Sequence, residues 1–132
     1  MKRKESDDPK AWFAKAEADW RVAELALGAP EPMPEVSGFH SQQCAEKYLK
    51  GYLKSQKKTF RWSHDLGYLI DLCAQCDADF REFDEEAEIL TRLAEPSRYP
   101  MPDEMEVTEA VARNAMQIAG RIRSFVLSRV GS

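Results

Sequence analysis

Phe39, Gln43, Glu46, Lys50 and Leu53 recur at steps of four and three residues, so they share one face of a helix. The ends of this stripe are apolar. Its middle is an amide, a carboxylate and an ammonium. A face built only for packing would carry Leu or Ala at those positions, because burying such groups without partners is costly. Two arrangements meet that cost: the groups satisfy one another in an internal network, or they line a pocket or an interface. His40 and Lys47 stand beside the stripe. Glu46 and Lys50 form an i, i+4 pair in the favourable order, which contributes only about 0.3–0.5 kcal/mol at a surface.

Three further clusters carry polar chemistry. His64 and Asp65 open the segment His64-Asp65-Leu66. A carboxylate suits the positive end of a helix, and the imidazole can cap it. Ser97-Arg98-Tyr99-Pro100 follows the end of a helical segment. A guanidinium there is either a solvated loop group or a partner for a phosphate or for a carboxylate such as Glu46 or Asp65, and the adjacent Tyr99 and Pro100 favour a held position. Lys47, Lys50, Lys54, Lys57, Lys58 and Arg61 form a basic run, either a local patch or a solvated helix face. Cys73 and Cys76 are spaced as C-x-x-C. Zinc would need two more ligands, from Cys44, His40 and His64. A redox site would need a preceding strand. One helical turn puts both sulfurs on an apolar stripe, so they read as core thiols, with no metal and no cofactor expected. Phosphate-loop, dinucleotide, zincin and nucleophile-elbow signatures are absent, as is any Glu-x-x-His pair.

The elements that must position these groups are helical. The chain has 132 residues, 43% hydrophobic and 32% charged, with a net charge of −4. That is one ordinary globular domain without a global basic field. No apolar run reaches membrane-spanning length, and three cysteines suit a cytoplasmic setting better than a disulfide framework. The charged opening over 1–8 has no apolar stretch behind it and reads as a disordered lead-in, with a single domain over 9–130. Phe13, Ala16, Trp20, Ala23 and Leu27 mark a first helix ending near Gly28. A proline-rich linker leads to a second over about 35–54. A third starts near His64, with Leu66, Leu69, Ile70, Cys73 and Cys76 as its stripe. A fourth covers about 79–94, with Phe80, Phe83, Ala87 and Leu90. Pro96, Pro100 and Pro102 break the chain, and Thr108 caps a last helix with Val111, Ala115, Ile118, Ile122 and Phe125. With no β-type alternation, the expected fold is all-α: an up-and-down antiparallel bundle of about five helices.

At these residues the chain resembles the HEPN family, the higher eukaryotes and prokaryotes nucleotide-binding domains. The segment Phe39-His40-Ser-Gln42-Gln43-Cys-Ala45-Glu46-Lys47-Tyr-Leu49-Lys50-Gly-Tyr-Leu53 is similar to the family's F/H-x-Q-Q-x-A-E-K-x-L-K-x-x-L helix. His64-Asp65-Leu66 resembles its H-D-L, and Arg98-Tyr99-Pro100 its R-Y-P. Trp12, Ala16, Asp19 and Ala23 look like its first helix. The resemblance spans roughly residues 9 to 130. It implies a helical bundle that dimerises and works with nucleotides or RNA. It also implies a minimal nucleotidyltransferase as partner, often in a toxin–antitoxin pair. On this reading Gln43, Glu46, His64 and Asp65 form a polar wall. Arg98 meets phosphate, with charge added by Lys47 or Lys50, and Tyr99 stacks on a base. Some members are metal-independent ribonucleases with a histidine a few residues after the arginine. Here Tyr-Pro-Met-Pro-Asp-Glu-Met follows Arg98 with no histidine, so the expectation is a partner module that is not catalytic alone. The alternatives are a ribonuclease, with Arg98 and His64 as its candidate catalytic pair, and a purely structural interaction module.

Overall fold

Capping residues set the helix starts. Asp8 accepts a hydrogen bond from the Lys10 amide at the head of α1 (Pro9–Gly28), and Pro9 fills the first turn, where a missing N–H costs nothing. Pro34 does the same for α2 (Pro34–Ser55). The Asp65 carboxylate accepts from the amides of Gly67 and Tyr68 and starts α3 (Leu66–Cys76). Thr108 accepts from the Val111 amide and starts the last helix, which runs Glu109–Val130. The computed structural model describes residues 5–94 and 106–131, and no strand occurs among the described residues.

The fourth segment is not one continuous helix. Ala78–Phe83 is a 3-10 helix, Asp84–Thr91 is α4, and Arg92–Ala94 is again 3-10; Glu109–Val130 is therefore α5. The 3-10 stretch has a packing reason. With three residues per turn, positions three apart lie directly in line. Phe80 and Phe83 thereby both reach Phe125, with ring centroids 4.7 and 5.4 Å away.

The helices form a bundle around α2, which packs chiefly against α1 and α5. Its residues Ala45, Tyr48, Leu49, Tyr52 and Leu53 lie at the centre of the core. Close approach of α1 depends on Gly51: a Cβ there would lie 2.5 Å from Cε1 of Phe13. Phe13 in turn stacks on Tyr48 at 5.5 Å. Contacts along α2 fix the direction of its neighbours. Gly38 near its start lies against Val107, and Tyr48 lower down neighbours Arg123, so α5 runs in the same sense as α2.

The segment from Gln56 to Asp65 turns back along α2. Phe60 sits near Lys54 and His64 near Glu46, so the chain climbs about two turns of α2 before α3 begins. α3 then descends beside α2, where the Cys73 thiol meets the Leu49 carbonyl at 3.7 Å. α4 returns upward: Thr91 Oγ1 accepts from the Leu66 amide at 3.1 Å. Ser6 to Asp8, which the sequence places in a lead-in, are engaged with the body. Trp12 Nε1 donates to the Ser6 carbonyl at 2.8 Å, and Lys54 pairs with Asp7.

Candidate functional site

The polar stripe of α2 is brought together with His64 by the returning segment. Glu46 is 3% exposed and Lys50 is 2% exposed, so neither is a surface group. Lys50 Nζ donates to Glu46 Oε2 at 3.1 Å. Its ammonium also lies 5.7 Å from the ring centroids of both Trp12 and Phe60, one from α1 and one from the return. Aromatic faces stabilise a cation removed from water. His64 Nδ1 stands 2.7 Å from Glu46 Oε1. An ionised carboxylate only accepts, so Nδ1 carries the proton and donates, which leaves Nε2 as the acceptor of the neutral ring. Gln42, fully buried, donates to Glu46 Oε1 at 3.2 Å and to the His64 carbonyl at 3.4 Å. Gln43 Nε2 then donates to Gln42 Oε1 at 2.7 Å.

This cluster answers the cost of its own burial. Glu46 accepts from an ammonium, an imidazole and an amide, which is what a buried carboxylate requires. Glu46, Lys50 and Gln42 are therefore occupied with one another. The groups left at the surface are His64, whose side chain is 33% exposed, and the half-buried Gln43. Trp62, 70% exposed, sets its ring edge-on to the His64 imidazole at 4.5 Å.

A second cluster lies between α1 and α2. Asp19, 7% exposed, accepts from His40 Nδ1 at 2.8 Å and from Lys47 Nζ at 2.5 Å. Lys47 thus belongs with Asp19. A third joins the first and last helices: Arg123 donates through Nε and Nη2 to Glu17 at 2.6 and 2.7 Å, and the Tyr48 hydroxyl donates to the same carboxylate. The Arg123 hydrogen bond is the main cause holding the Glu17 carboxyl below its ordinary range. Burial is the main cause raising the Tyr48 hydroxyl, and its bond to Glu17 adds to this. Burial likewise pushes the Cys44 and Cys73 thiols well up, so neither supplies a thiolate. Cys76 is half-buried, and all three cysteines are free.

Of the sequence-derived site residues, Gln43, Glu46, Lys50 and His64 meet in one network. Lys47 is one helical turn away on Asp19. Asp65 is the cap of α3, its carboxylate engaged by two backbone amides. Arg98, Tyr99 and Pro100 lie outside the described residues. Gln42 and Asp19 were not among the candidates, yet their spacing carried a signal. Gln42, Ala45, Leu49 and Tyr52 step by three and four, as do Ala16, Asp19, Ala23 and Ala26, so each polar residue interrupts a core stripe. Glu17 and Arg123, 106 positions apart, left no local signal. Among the described residues, no group of three or more His, Cys, Asp or Glu has the geometry to hold a metal ion.

Comparison with known proteins places this arrangement. The family model described as HEPN domain matches residues 9–130. The fold is similar to that of TT1696 from Thermus thermophilus, with a TM-score of 0.73 and 27% identity over 92% of this chain and 97% of that one. It is also similar to ST0689, an archaeal HEPN homologue, with a TM-score of 0.75 and 29% identity over 99% of this chain and 100% of that one. No curated protein matches the chain.

Proposed function

We propose, from the premise that this chain belongs to the HEPN domain family, that it is a nucleotide-binding module that acts as a homodimer beside a minimal nucleotidyltransferase, as in a toxin–antitoxin pair. The observation that carries the nucleotide reading is the fixed imidazole of His64. It is oriented by a buried carboxylate, stays one-third exposed, and adjoins an exposed indole, while the Gln43 amide joins the same network through Gln42. Such a rim offers hydrogen-bonding groups for a base edge or a phosphate and an aromatic face for stacking. Arg98 supplies phosphate charge in this reading and Tyr99 a second stacking ring. Glu46 and Lys50 hold the wall in place rather than touch the ligand.

The test is a thermal-shift titration of the full chain with ATP, GTP, AMP and a short single-stranded RNA, repeated on His64→Ala and Arg98→Ala. A ligand at about 100 times its dissociation constant adds about 2.7 kcal/mol to stability. A shift present in wild type and lost in both variants supports the site. No shift with any ligand sinks it and leaves a scaffold whose polar stripe is an internal network.

A second reading, metal-independent ribonuclease, has one specific observation in its favour. A carboxylate that fixes an imidazole tautomer leaves Nε2 able to take a proton from a 2′-hydroxyl. Cleavage of RNA in the presence of a chelator, abolished by His64→Ala, is its expected outcome. Undiminished cleavage by that variant removes His64 from the mechanism.

A further inference from the structure

From Lys47 to His64 the chain carries six basic residues and no acidic one, in a protein whose net charge is −4. The structure divides these six. Lys47, Lys50 and Lys54 are engaged by Asp19, Glu46 and Asp7. Among the described residues, Lys57, Lys58 and Arg61 form no ion pair, and all three side chains are exposed. They lie on the returning segment together with Trp62, whose indole is 70% exposed. Lys54, Ser55, Lys57, Lys58 and Thr59, with Asp7 and Pro9 at the head of α1, line an open hollow of about 510 Å³ at the foot of α2. Asp7 pairs there with Lys54 and leaves Lys57 and Lys58 as its cations without an ion pair among the described residues. Arg61 lies with its guanidinium 4.1 Å over the Tyr68 ring, which fixes its position without neutralising it. Lys57 holds φ at 57°, a left-handed conformation in which glycine is the default, so a cation stands where the backbone alone would favour none.

We infer that this strip, from the hollow at Lys57 and Lys58 through Arg61 to Trp62, is a docking track for single-stranded nucleic acid. The inference rests on the nucleotide reading of the His64 rim and names its ligand class: a polynucleotide that continues from the rim along the returning segment, rather than a lone mononucleotide. Unpaired cations in series follow a phosphate backbone, and a protruding indole stacks on a base without regard to sequence. Beyond the turn at Gln56 and Lys57 the strip follows neither helix nor strand, and its side chains meet a flexible single strand. A duplex buries its base faces and leaves Trp62 nothing to stack on.

The experiment is fluorescence anisotropy of a labelled single-stranded dodecamer of uridylate against the full chain, across a salt series. It is run on wild type, Trp62→Ala, and the triple variant Lys57→Gln/Lys58→Gln/Arg61→Gln. UMP is titrated separately by thermal shift, and polyglutamate serves as a competitor. These residues are exposed, so circular dichroism should show folded variants. Trp62→Ala is expected to weaken the dodecamer roughly fivefold to a hundredfold, the loss of one stacked base. The triple variant is expected to lower the log–log salt slope by about 2, since each single-strand phosphate contact contributes about 0.7. Dodecamer binding that is indifferent to both variants overturns the track. If UMP binding persists alongside that result, the nucleotide site stands without it. Equal competition by polyglutamate, with no effect of Trp62→Ala, marks a generic polyanion surface and also overturns the proposal. If neither the dodecamer nor any of UMP, ATP, GTP and AMP binds, the nucleotide reading and the track fail together.

Discussion

Oε1 of Glu46 and Nδ1 of His64 stand 2.7 Å apart, although 18 positions separate the residues in the chain. The contact crosses between α2 and a segment that has turned back along it. It gives one buried carboxylate three donors from two different parts of the chain, and four properties follow from this and the neighbouring contacts.

Glu46→Gln leaves the Lys50 ammonium buried with no carboxylate beside it. Removing one partner of a buried ion pair costs about 3–5 kcal/mol. Urea denaturation is expected to show a loss of that size. The double variant Glu46→Gln/Lys50→Met should recover most of it, because the stranded charge is gone. A single-variant cost of only a few tenths would mean that Lys50 reaches water.

Gly51→Ala places a methyl group against Phe13 and the Trp12 Cβ. The neighbour at 2.5 Å is an aromatic ring packed on Tyr48, which has little room to move. Overpacking of this kind costs about 1–3 kcal/mol. Thermal unfolding should show it, and Phe13→Leu in the same background should relieve part of it.

Glu17 makes stability depend on pH in a definite direction. Chiefly through its hydrogen bond to Arg123, its folded pKa lies below the ordinary 4.5. A depressed carboxyl contributes stability that is fully present above the unfolded value and is lost as pH falls through the folded one. Glu17→Gln should therefore lower the urea midpoint at neutral pH and flatten its fall below about pH 4.5. The Glu17 side chain is 40% exposed, so solvent screening keeps the effect modest. An unchanged acid limb in the variant would show that the pair has no net linkage.

Lys57→Gly removes a side chain from a left-handed backbone position. Relief of that conformation is expected to raise stability by roughly 1 kcal/mol. The same change takes a cation from the strip beside the hollow, so oligonucleotide affinity should fall while the melting temperature rises. A fall in both would trace the binding loss to folding instead.

Periodicity made the helices legible, and it also found Tyr48, Leu49, Leu69, Phe80 and Ile122, all buried. It slipped where the repeat drifts. Val111, assigned to the stripe of the last helix, is 39% exposed, and Ala112, Ala119 and Val126 take the buried positions instead. Long helices do not keep a fixed three-and-four register over six turns. The 3-10 stretch before α4 was not legible either, since Phe80 and Phe83 at a spacing of three suit either kind of helix. At the site, the mixed stripe Gln43–Glu46–Lys50 was readable because polar groups interrupted an apolar repeat. The pairing of that stripe with His64 depended on the path of Gln56 to Asp65, which has no periodicity of its own. Asp19 and Gln42 followed the rule that found Glu46, hidden by one residue's rotation around each helix.

From Phe60 to His64 the returning segment is tied to α1, α2 and α3 through side chains rather than through backbone pairs. The Arg61 amide donates to the Tyr68 hydroxyl, the His64 carbonyl accepts from Gln42, and Phe60 lies against Trp12. Backbone bonds hold Gln56, Lys57 and Lys58 to the end of α2. From Thr59 to His64, among the described residues, no peptide hydrogen bond to another peptide group has to break for the segment to lift, and both of its ends stay anchored in helices. It is the natural first unit of sub-global opening, a flap that detaches while the bundle stays intact. Lifting it would wet the Glu46–Lys50 pair at once, so amide hydrogens along residues 59–65 would exchange ahead of those in the helices on either side.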